Sequence, residues 1–121
     1  MKEFSRADRI GSQMQRELAL LLRDAVKDPR LSEVTVQEVR VTRDLSHAKV
    51  YFTILDKSEA GFFTQLLGKA AGFLRRRLGQ AMKLRTVPEL KFVYDSSIEE
   101  GQRLEALIQK AVASDSGEDD G

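Results

Sequence analysis

Two short runs of alternating apolar residues, separated by a brief connection, constrain the fold of this chain most. The second run alternates polar positions with Ala48, Val50, Phe52 and Ile54. Alternation at every second position is typical of a β-strand with one buried face. Because residues 43–47 leave room only for a tight connection, the two strands are predicted to pair antiparallel.

The first of these runs changes face part-way along. Its valines occupy even positions at 34 and 36 and odd positions at 39 and 41. A shift of one residue turns the apolar set to the other face of a sheet unless an extra residue is accommodated. We therefore predict a bulge or bend at Gln37 or Glu38.

The residues before the strands have helical spacing. Apolar side chains recur every three or four positions between Ile10 and Ala25. Ser5 and Asp8 approximate a capping box at the start of this helix. Since proline disfavours helical geometry in the residue before it, Pro29 is expected to end the helix by Asp28.

The residues after the strands also have helical spacing, but with an interruption. Ser58 and Glu59 open a pattern that restarts after Ala70-Ala71-Gly72. Glycine lowers helix stability by ~1 kcal/mol relative to alanine. A kink or break between two helices is therefore predicted at Gly72.

The C-terminal third contains a strand, a helix and an acidic tail. Leu90, Phe92 and Tyr94 alternate as a third strand, and Ser97-Ile98-Glu99-Glu100 is a capping box for a final amphipathic helix. From Ser114 the chain is small, polar and acidic, so residues 114–121 are expected to be disordered. The predicted fold is α+β: one domain over residues 1–113, in the order α-β-β-α-kink-α-β plus a C-terminal helix. Its three-stranded sheet is expected to have the helices packed on one face.

Composition places the chain among soluble globular proteins. With 121 residues it has room for one core, and 41% hydrophobic with 32% charged residues is not the composition of a disordered chain. No apolar run is long enough to span a bilayer, and the N-terminus lacks the apolar core of a signal peptide. Without cysteine there is no disulfide framework and no thiolate metal site. A cytoplasmic protein is expected.

Positive charge is concentrated away from the C-terminus. All 20 Lys and Arg lie at or before Lys110, whereas four of the 19 acids lie in the last seven residues, so a +5 body precedes a −4 tail. Residues 68–91 are the most basic segment, opposed only by Glu89; the cations are Lys69, Arg75, Arg76, Arg77, Lys83, Arg85 and Lys91. Positive charge beside small residues such as Gly72 is what a phosphate-binding surface requires. Nucleic acid is therefore the first hypothesis for the partner.

A second basic stripe is predicted on the first helix. Arg9, Arg16 and Arg23 are seven residues apart and line up on one side. The alternative is a solvated face on which Glu17 and Asp24 offer intrahelical ion pairs. Both interpretations remain open at this point.

The sequence gives little support to an enzyme. His47 is the only histidine, and it lies in a predicted strand connection where a surface role is expected. Metal sites need several converging ligands, and there is no His or Cys cluster. The Gly68 region lacks the Lys-Ser/Thr ending of a nucleotide-binding P-loop. No catalytic residue, metal site or cofactor is predicted.

Several segments resemble one known family. They are SRADRI with QREL near the N-terminus, VTRDLSHAKVYFTIL across the two strands, and RTVPELKFVYDSSIEEG before the last helix. Together with the element order, they resemble the ribosome-binding factor A family, which has a type II KH-like fold. In that family Ala-x-Gly at an interhelical kink replaces the Gly-x-x-Gly loop of KH domains, and Ala70-Ala71-Gly72 matches it.

The resemblance implies a bacterial assembly factor that is not an enzyme. It implies binding to the immature 30S ribosomal subunit, late maturation of 16S rRNA near its 5′-terminal helix, support of growth in the cold, and release linked to a ribosome-maturation GTPase. A monomer without membrane contact is expected. The candidate RNA contacts are Arg9, Arg16, Arg43, Lys49, Lys69, Ala70, Gly72, Arg75, Arg76, Arg77, Lys83 and Arg85. The alternatives are a general KH-like module for single-stranded RNA and an adaptor for an acidic protein partner.

Overall fold

The computed structural model describes residues 5–119 and the side chains of residues 5–113. Within these residues, three helices and three strands follow one another. They are α1 (Arg6–Asp24), β1 (Thr35–Val41), β2 (His47–Thr53), α2 (Ala60–Met82), β3 (Glu89–Tyr94) and α3 (Ser97–Asp119), with 3₁₀ turns at Pro29–Glu33 and Lys57–Glu59. The α+β class is confirmed.

The N-terminus of α1 is capped as the sequence predicted. The Ser5 hydroxyl accepts from the Asp8 amide at 3.2 Å, and the Asp8 carboxylate accepts from the Ser5 amide at 3.0 Å. The helix ends at Asp24, before Pro29. Its buried side, which includes Met14, packs on β1.

The strands form one mixed sheet in the order β1-β2-β3. β1 and β2 are antiparallel, whereas β2 and β3 are parallel. The predicted bulge is confirmed, because the register shifts between Val36 and Glu38. The amide of Gln15 on α1 donates to the carbonyl oxygens of Val36 at 3.2 Å and Gln37 at 3.0 Å, so the helix satisfies backbone acceptors at the bulge.

Close approach fixes α1 against the sheet at Gly11. A Cβ added there would lie 2.5 Å from the backbone oxygen of Val39. Only glycine allows this separation without moving one backbone away from the other. The core between α1, α2 and the sheet contains Val50, Phe52 and Leu67, each fully buried.

Of the predicted kink or break at Gly72, the break is wrong, because α2 runs as one helix from Ala60 to Met82. A kink within the continuous helix stays a prediction. The start of α2 is also two residues later than predicted, because Ser58 and Glu59 belong to the preceding 3₁₀ turn. Buried residues on both sides of the glycine, including Leu67 and Leu74, hold the helix on the core. Their burial outweighs a propensity cost of ~1 kcal/mol.

α2 ends in an unusual conformation. Lys83 has φ 53° and ψ 41°, the left-handed region in which glycine is the common residue. The amides of Lys83 and Leu84 both donate to the carbonyl oxygen of Gly79. This geometry turns the chain sharply towards the segment that precedes β3.

The N-terminus of α3 differs from the predicted capping box. Ser97 is the first helical residue, and the carboxylate of Asp95 accepts from its amide at 3.0 Å. Glu99 and Glu100 bind hydroxyl groups upstream instead, those of Tyr94 at 2.6 Å and Ser96 at 3.0 Å. Asp95, two residues before the helix, thus takes the role assigned to Ser97.

Only two of the helices cover the sheet. α1 packs on β1, α2 packs on β3, and both lie on the same face, as predicted. α3 does not join them: every side chain from residue 100 to 113 is exposed. Its backbone stays helical through Ser114, where disorder was expected, to Asp119. The side chains of residues 114–121 lie outside the described part.

Candidate nucleic-acid interface

A bare patch of helix backbone lies on the outer side of α2. Gly68 and Gly72 are four residues apart, both are exposed, and a Cβ added to either would meet nothing within 4 Å. Packing therefore does not require glycine at these positions. What the two glycines provide is access, since a ligand can approach the helix backbone where side chains are absent.

Two hollows flank Gly72. The first, about 360 Å³, lies between α2 and β3 and is lined by Ala71, Gly72 and Arg75 with residues that include Lys91. The second, about 390 Å³, lies between α2 and the segment before β3; its lining includes Arg76 and Arg85. Of the predicted contacts here, Ala70 is half-buried against the core and offers little surface.

Arg75 lies between the two hollows and holds their wall in place. Its Nε donates to the carbonyl oxygen of Pro88 at 3.1 Å and its Nη2 to that of Val87 at 2.9 Å. The half-buried guanidinium therefore fixes the segment that carries Arg85. The sequence predicted a phosphate contact at Arg75, whereas the geometry supports a positioning role.

Most of the remaining cations of α2 share one exposed face. Lys69, Gly72 and Arg76 follow at intervals of three and four residues, which align on a helix, and Lys83 is exposed at the left-handed position that follows α2. Among residues 5–113 the ion pairs are Arg23–Asp24, Arg30–Asp28, Arg40–Glu38 and His47–Glu89. None of them neutralises this face.

Arg77 points away from that face. Its guanidinium lies over the ring of Phe73, 5.7 Å from the centroid, on the preceding turn of the same helix. A cation above an aromatic face is held by the ring quadrupole. The structure thus separates Arg77 from Arg76, although they are adjacent in sequence.

A row of three cations crosses the open face of the sheet. Lys49 on β2 lies directly opposite Arg40 on β1 and Lys91 on β3, and all three are exposed. Arg40 forms an ion pair with Glu38 at 3.2 Å and lies over the Tyr51 ring, but neither lysine has an acidic partner among the described residues. Like charges directly opposite one another destabilise a sheet. An anion bound over the row would offset this repulsion.

This row joins the hollow beside Gly72 through Lys91, which belongs to both. Sequence reasoning named Lys49 as an RNA contact but missed Arg40 and omitted Lys91 from the contacts. The predicted bulge could have revealed Arg40, because counting one extra residue at Gln37 places Arg40 opposite Lys49. Nothing comparable in the sequence shows how the parallel strand β3 is aligned with β2, so the position of Lys91 opposite Lys49 could not be predicted.

The β1–β2 hairpin places Arg43 at an exposed tip, apart from both hollows. Leu45 adopts a left-handed φ of 63° in this turn. Asp44 stabilises it by accepting from the Thr42 and Ser46 hydroxyls, each at 2.7 Å, and from the Ser46 amide. These hydrogen bonds lower the pKa of Asp44 from 3.8 to about 2.

The predicted α1 stripe is partly present. Arg9 and Arg16 are exposed and line a shallow hollow of about 540 Å³ with Ser12 and Gln13. Arg23 instead binds the neighbouring Asp24, with 3.2 Å between Nε and the carboxylate. Arg9 and Arg16 are therefore available to an anion. Arg23 instead fits the alternative interpretation, a solvated helix face with ion pairs.

His47 lies on the rim of the first hollow. Its Nε2 is 3.3 Å from the Glu89 carboxylate, and its Nδ1 is 2.8 Å from the Ser46 hydroxyl. Within the described part of the chain, no group of three or more His, Cys, Asp or Glu side chains is placed to hold a metal ion. Nor does any helix there have the length and apolarity needed to cross a membrane.

Comparison with known proteins identifies the family. The model of the family described as ribosome-binding factor A matches residues 6–108, which include the sheet, α1, α2 and the first half of α3. The chain belongs to the ribosome-binding factor A family. The resemblance read from the N-terminal, hairpin and β3 segments is thereby confirmed.

Individual relatives agree with this assignment. The ribosome-binding factor A of Ectopseudomonas mendocina is 52% identical over 99% of this chain and 96% of its own length. The crystal structure of the Thermus thermophilus family member is 29% identical, with a TM-score of 0.64 over 74% of this chain and 97% of that one. A homology model of the same Thermus protein, fitted into a cryo-EM map of a 30S complex, gives a TM-score of 0.62 at 29% identity, covering 74% of this chain and 96% of that one.

Proposed function

We propose that this protein binds the immature 30S ribosomal subunit through 16S rRNA and acts as a non-catalytic assembly factor. The observation that carries the proposal is the cationic surface around Gly72. It combines bare helix backbone, two hollows and exposed cations without acidic partners. The family supports the same role, since the Thermus member was fitted into a map of its 30S complex.

The physical basis of binding is the release of counterions from rRNA phosphates. Each phosphate neutralised by Lys or Arg contributes about −0.7 to −0.9 to the slope of log affinity against log salt. The α2 face, with Arg76 and Lys83, and the sheet row, with Lys49 and Lys91, supply the cations. Binding of this kind favours whichever rRNA arrangement fits the surface, and so shifts the population of a flexible segment.

The uninterrupted α2 favours structured rRNA over single-stranded RNA as the target. KH domains clamp single-stranded nucleotides at a Gly-x-x-Gly loop. Here the equivalent position, Gly72, lies within a continuous helix. We therefore favour docking on the phosphate surface of folded rRNA over the alternative of a general single-stranded RNA module.

The finer role follows from the same proposal. The protein assists late maturation of 16S rRNA near its 5′-terminal helix as a cytoplasmic monomer, and then leaves the subunit in a step linked to a maturation GTPase. A need for the protein during growth in the cold is expected, because alternative rRNA arrangements are harder to leave at low temperature.

Charge reversal on α2 tests the proposal. Arg76→Glu with Lys83→Glu should abolish co-sedimentation with purified immature 30S subunits in moderate salt, because two attractive contacts become repulsive. Lys27→Glu with Lys57→Glu is the matched control, since both lysines are exposed away from the surface around Gly72 and the net charge changes equally. Unchanged co-sedimentation of the α2 variant, or an equal loss in the control, would show that this surface is not the rRNA site.

A further inference from the structure

An apolar stripe on α3 is left without a partner. Leu104, Leu107, Ile108, Ala111 and Val112 follow at i, i+3, i+4, i+7 and i+8, the spacing of one helix face. The four large side chains are 54–59% exposed. Soluble proteins ordinarily bury such a face, and a contiguous exposed one marks an interaction site.

The body of the protein does not supply the missing partner. Among the described side chains, α3 is anchored at its first turn, where Glu99 accepts from the Tyr94 hydroxyl, and residues 100–113 are exposed. A helix that leaves the core gains no stability from tertiary packing, and an isolated helix is marginal in water. A bound partner would supply that packing.

Charge decides what kind of partner fits. Residues 97–121 contain seven acids and two bases, a net charge of −5, whereas residues 1–96 contain 12 acids and 18 bases, a net charge of +6. The C-terminal segment therefore has the same sign as RNA and is repelled by phosphates. Interfacial membrane helices carry Lys and Arg on the polar face, which does not match this composition.

A second copy of the chain is also a poor occupant. Two C-terminal segments, each spanning residues 97–121, would bring together two charges of −5. The apolar stripe covers only residues 104–112, which is shorter than the three to four heptads that sustain a coiled coil. Pairing between copies would thus combine repulsion with a short contact.

We propose that α3 docks through this stripe into an apolar groove rimmed by Lys and Arg on a basic protein of the 30S particle. The inference rests on the proposed function, since that function brings the chain to such a particle. Helix-in-groove recognition uses anchors at these spacings, and the acids that precede the stripe, Glu99 and Glu100, and those that follow it in residues 115–120 complement a basic rim. The basic body then holds rRNA while α3 holds protein, and the two contacts raise each other's effective concentration.

The test compares two binding partners for the full-length chain. Leu104→Ser with Ile108→Ser should weaken binding to purified immature 30S subunits about ten-fold or more, yet leave binding to protein-free 16S rRNA unchanged. Gln102→Ser with Gln109→Ser, on the opposite side of α3, should change neither. If the stripe variant binds 30S subunits as tightly as the unsubstituted chain, the inference is wrong and the proposed function stands. If the unsubstituted chain does not bind 30S subunits, both are wrong.

A photo-crosslinking residue at Leu107 identifies the occupant without relying on the stripe variant. Mass spectrometry of the complex with 30S subunits should reveal a crosslink to a ribosomal protein at a site beside Lys or Arg. Crosslinks to rRNA, to a second copy or to the chain's own body as the main product would each overturn the proposal.

Discussion

Arg75 of α2 donates a hydrogen bond to the backbone oxygen of Pro88, 13 residues further along the chain, at 3.1 Å. A second bond, from the same guanidinium to the Val87 oxygen at 2.9 Å, completes a fork across two successive carbonyls. Of three consecutive arginines in the sequence, Arg75 is thus the one that fixes the wall between the two hollows beside Gly72. Its neighbours Arg76 and Arg77 have different surroundings and different expected roles.

Replacing Arg75 should therefore affect stability more than RNA affinity. Arg75→Ala leaves two half-buried carbonyl oxygens without their charged donor, which should cost about 1–3 kcal/mol of unfolding free energy. Arg76→Ala should change stability by less than about 0.5 kcal/mol and reduce the salt slope of 16S rRNA binding by about 1. Urea denaturation and salt titrations of both variants measure this contrast. Equal stability of the two variants would contradict the positioning role.

Removing one lysine from the row of cations on the sheet should weaken rRNA binding without lowering the stability of the fold. Lys49→Gln relieves repulsion from Lys91 and Arg40, so unfolding free energy at low salt should stay equal or rise by about 0.2–1 kcal/mol. The salt slope of 16S rRNA binding should fall by about 1, because one phosphate contact is lost. Lys110→Gln on α3 serves as the control, with neither effect expected. A variant that is less stable and binds rRNA unchanged would rule out an anion site on this face.

Alanine substitutions should distinguish the glycines by their surroundings. Gly72→Ala meets nothing within 4 Å and should raise unfolding free energy by about 1 kcal/mol, while the added methyl hinders approach to the helix backbone and weakens rRNA binding. Gly61→Ala, in equally open space near the start of α2, should leave rRNA binding unchanged. Gly11→Ala should destabilise the fold, because its Cβ would overlap the Val39 oxygen. Thermal unfolding and filter binding measure all three. If the Gly72→Ala variant binds rRNA as tightly as the unsubstituted chain, rRNA does not approach the helix backbone at this position.

The hairpin turn should make stability depend on pH in the acid range. The folded pKa of Asp44, about 2, lies below the ordinary value of 3.8, so its ionised form stabilises the folded state. This contribution is present in full above the ordinary pKa and is lost as the pH falls from about 4 through about 2. NMR titration of the Asp44 carboxyl carbon should give a midpoint near 2. A midpoint near 3.8 would mean that the hydrogen bonds from Thr42 and Ser46 are not kept in solution.

Local patterns in the sequence predicted local structure well. The capping box at Ser5 was predictable because both partners lie within one turn, and the bulge at Gln37 because the valines change parity. The break at Gly72 was not, since propensity is a weak term beside the burial of Leu67 and Leu74, which sequence spacing cannot quantify. Two consecutive serines made the start of α3 ambiguous, and the structure assigns the acceptor role to Asp95.

In the candidate site, too, features within one element were predictable and features that join distant segments were not. The cationic face of α2 was predictable from helical spacing, because its members belong to one element. The Arg75 fork and the row through Lys91 were not, since each depends on where a distant segment returns to the core. The apolar stripe of α3 was predicted as an amphipathic helix, but its exposure was not, because an amphipathic pattern is the same whether or not the body of the protein covers it.

The parallel pairing of β3 with β2 has a consequence for the order in which this chain acquires its fold during synthesis. β1 and β2 close as a hairpin as soon as both have been made, but β3 returns to β2 only after the 23 residues of α2 have crossed over. The side of the central strand that β3 will occupy stays open in every nascent chain that ends before Glu89. Because the hollow beside Gly72 uses β3 as one wall, this part of the proposed RNA site is completed only with the final strand. An unfinished chain lacks the hollow, so we expect rRNA to bind there only after synthesis has passed Tyr94.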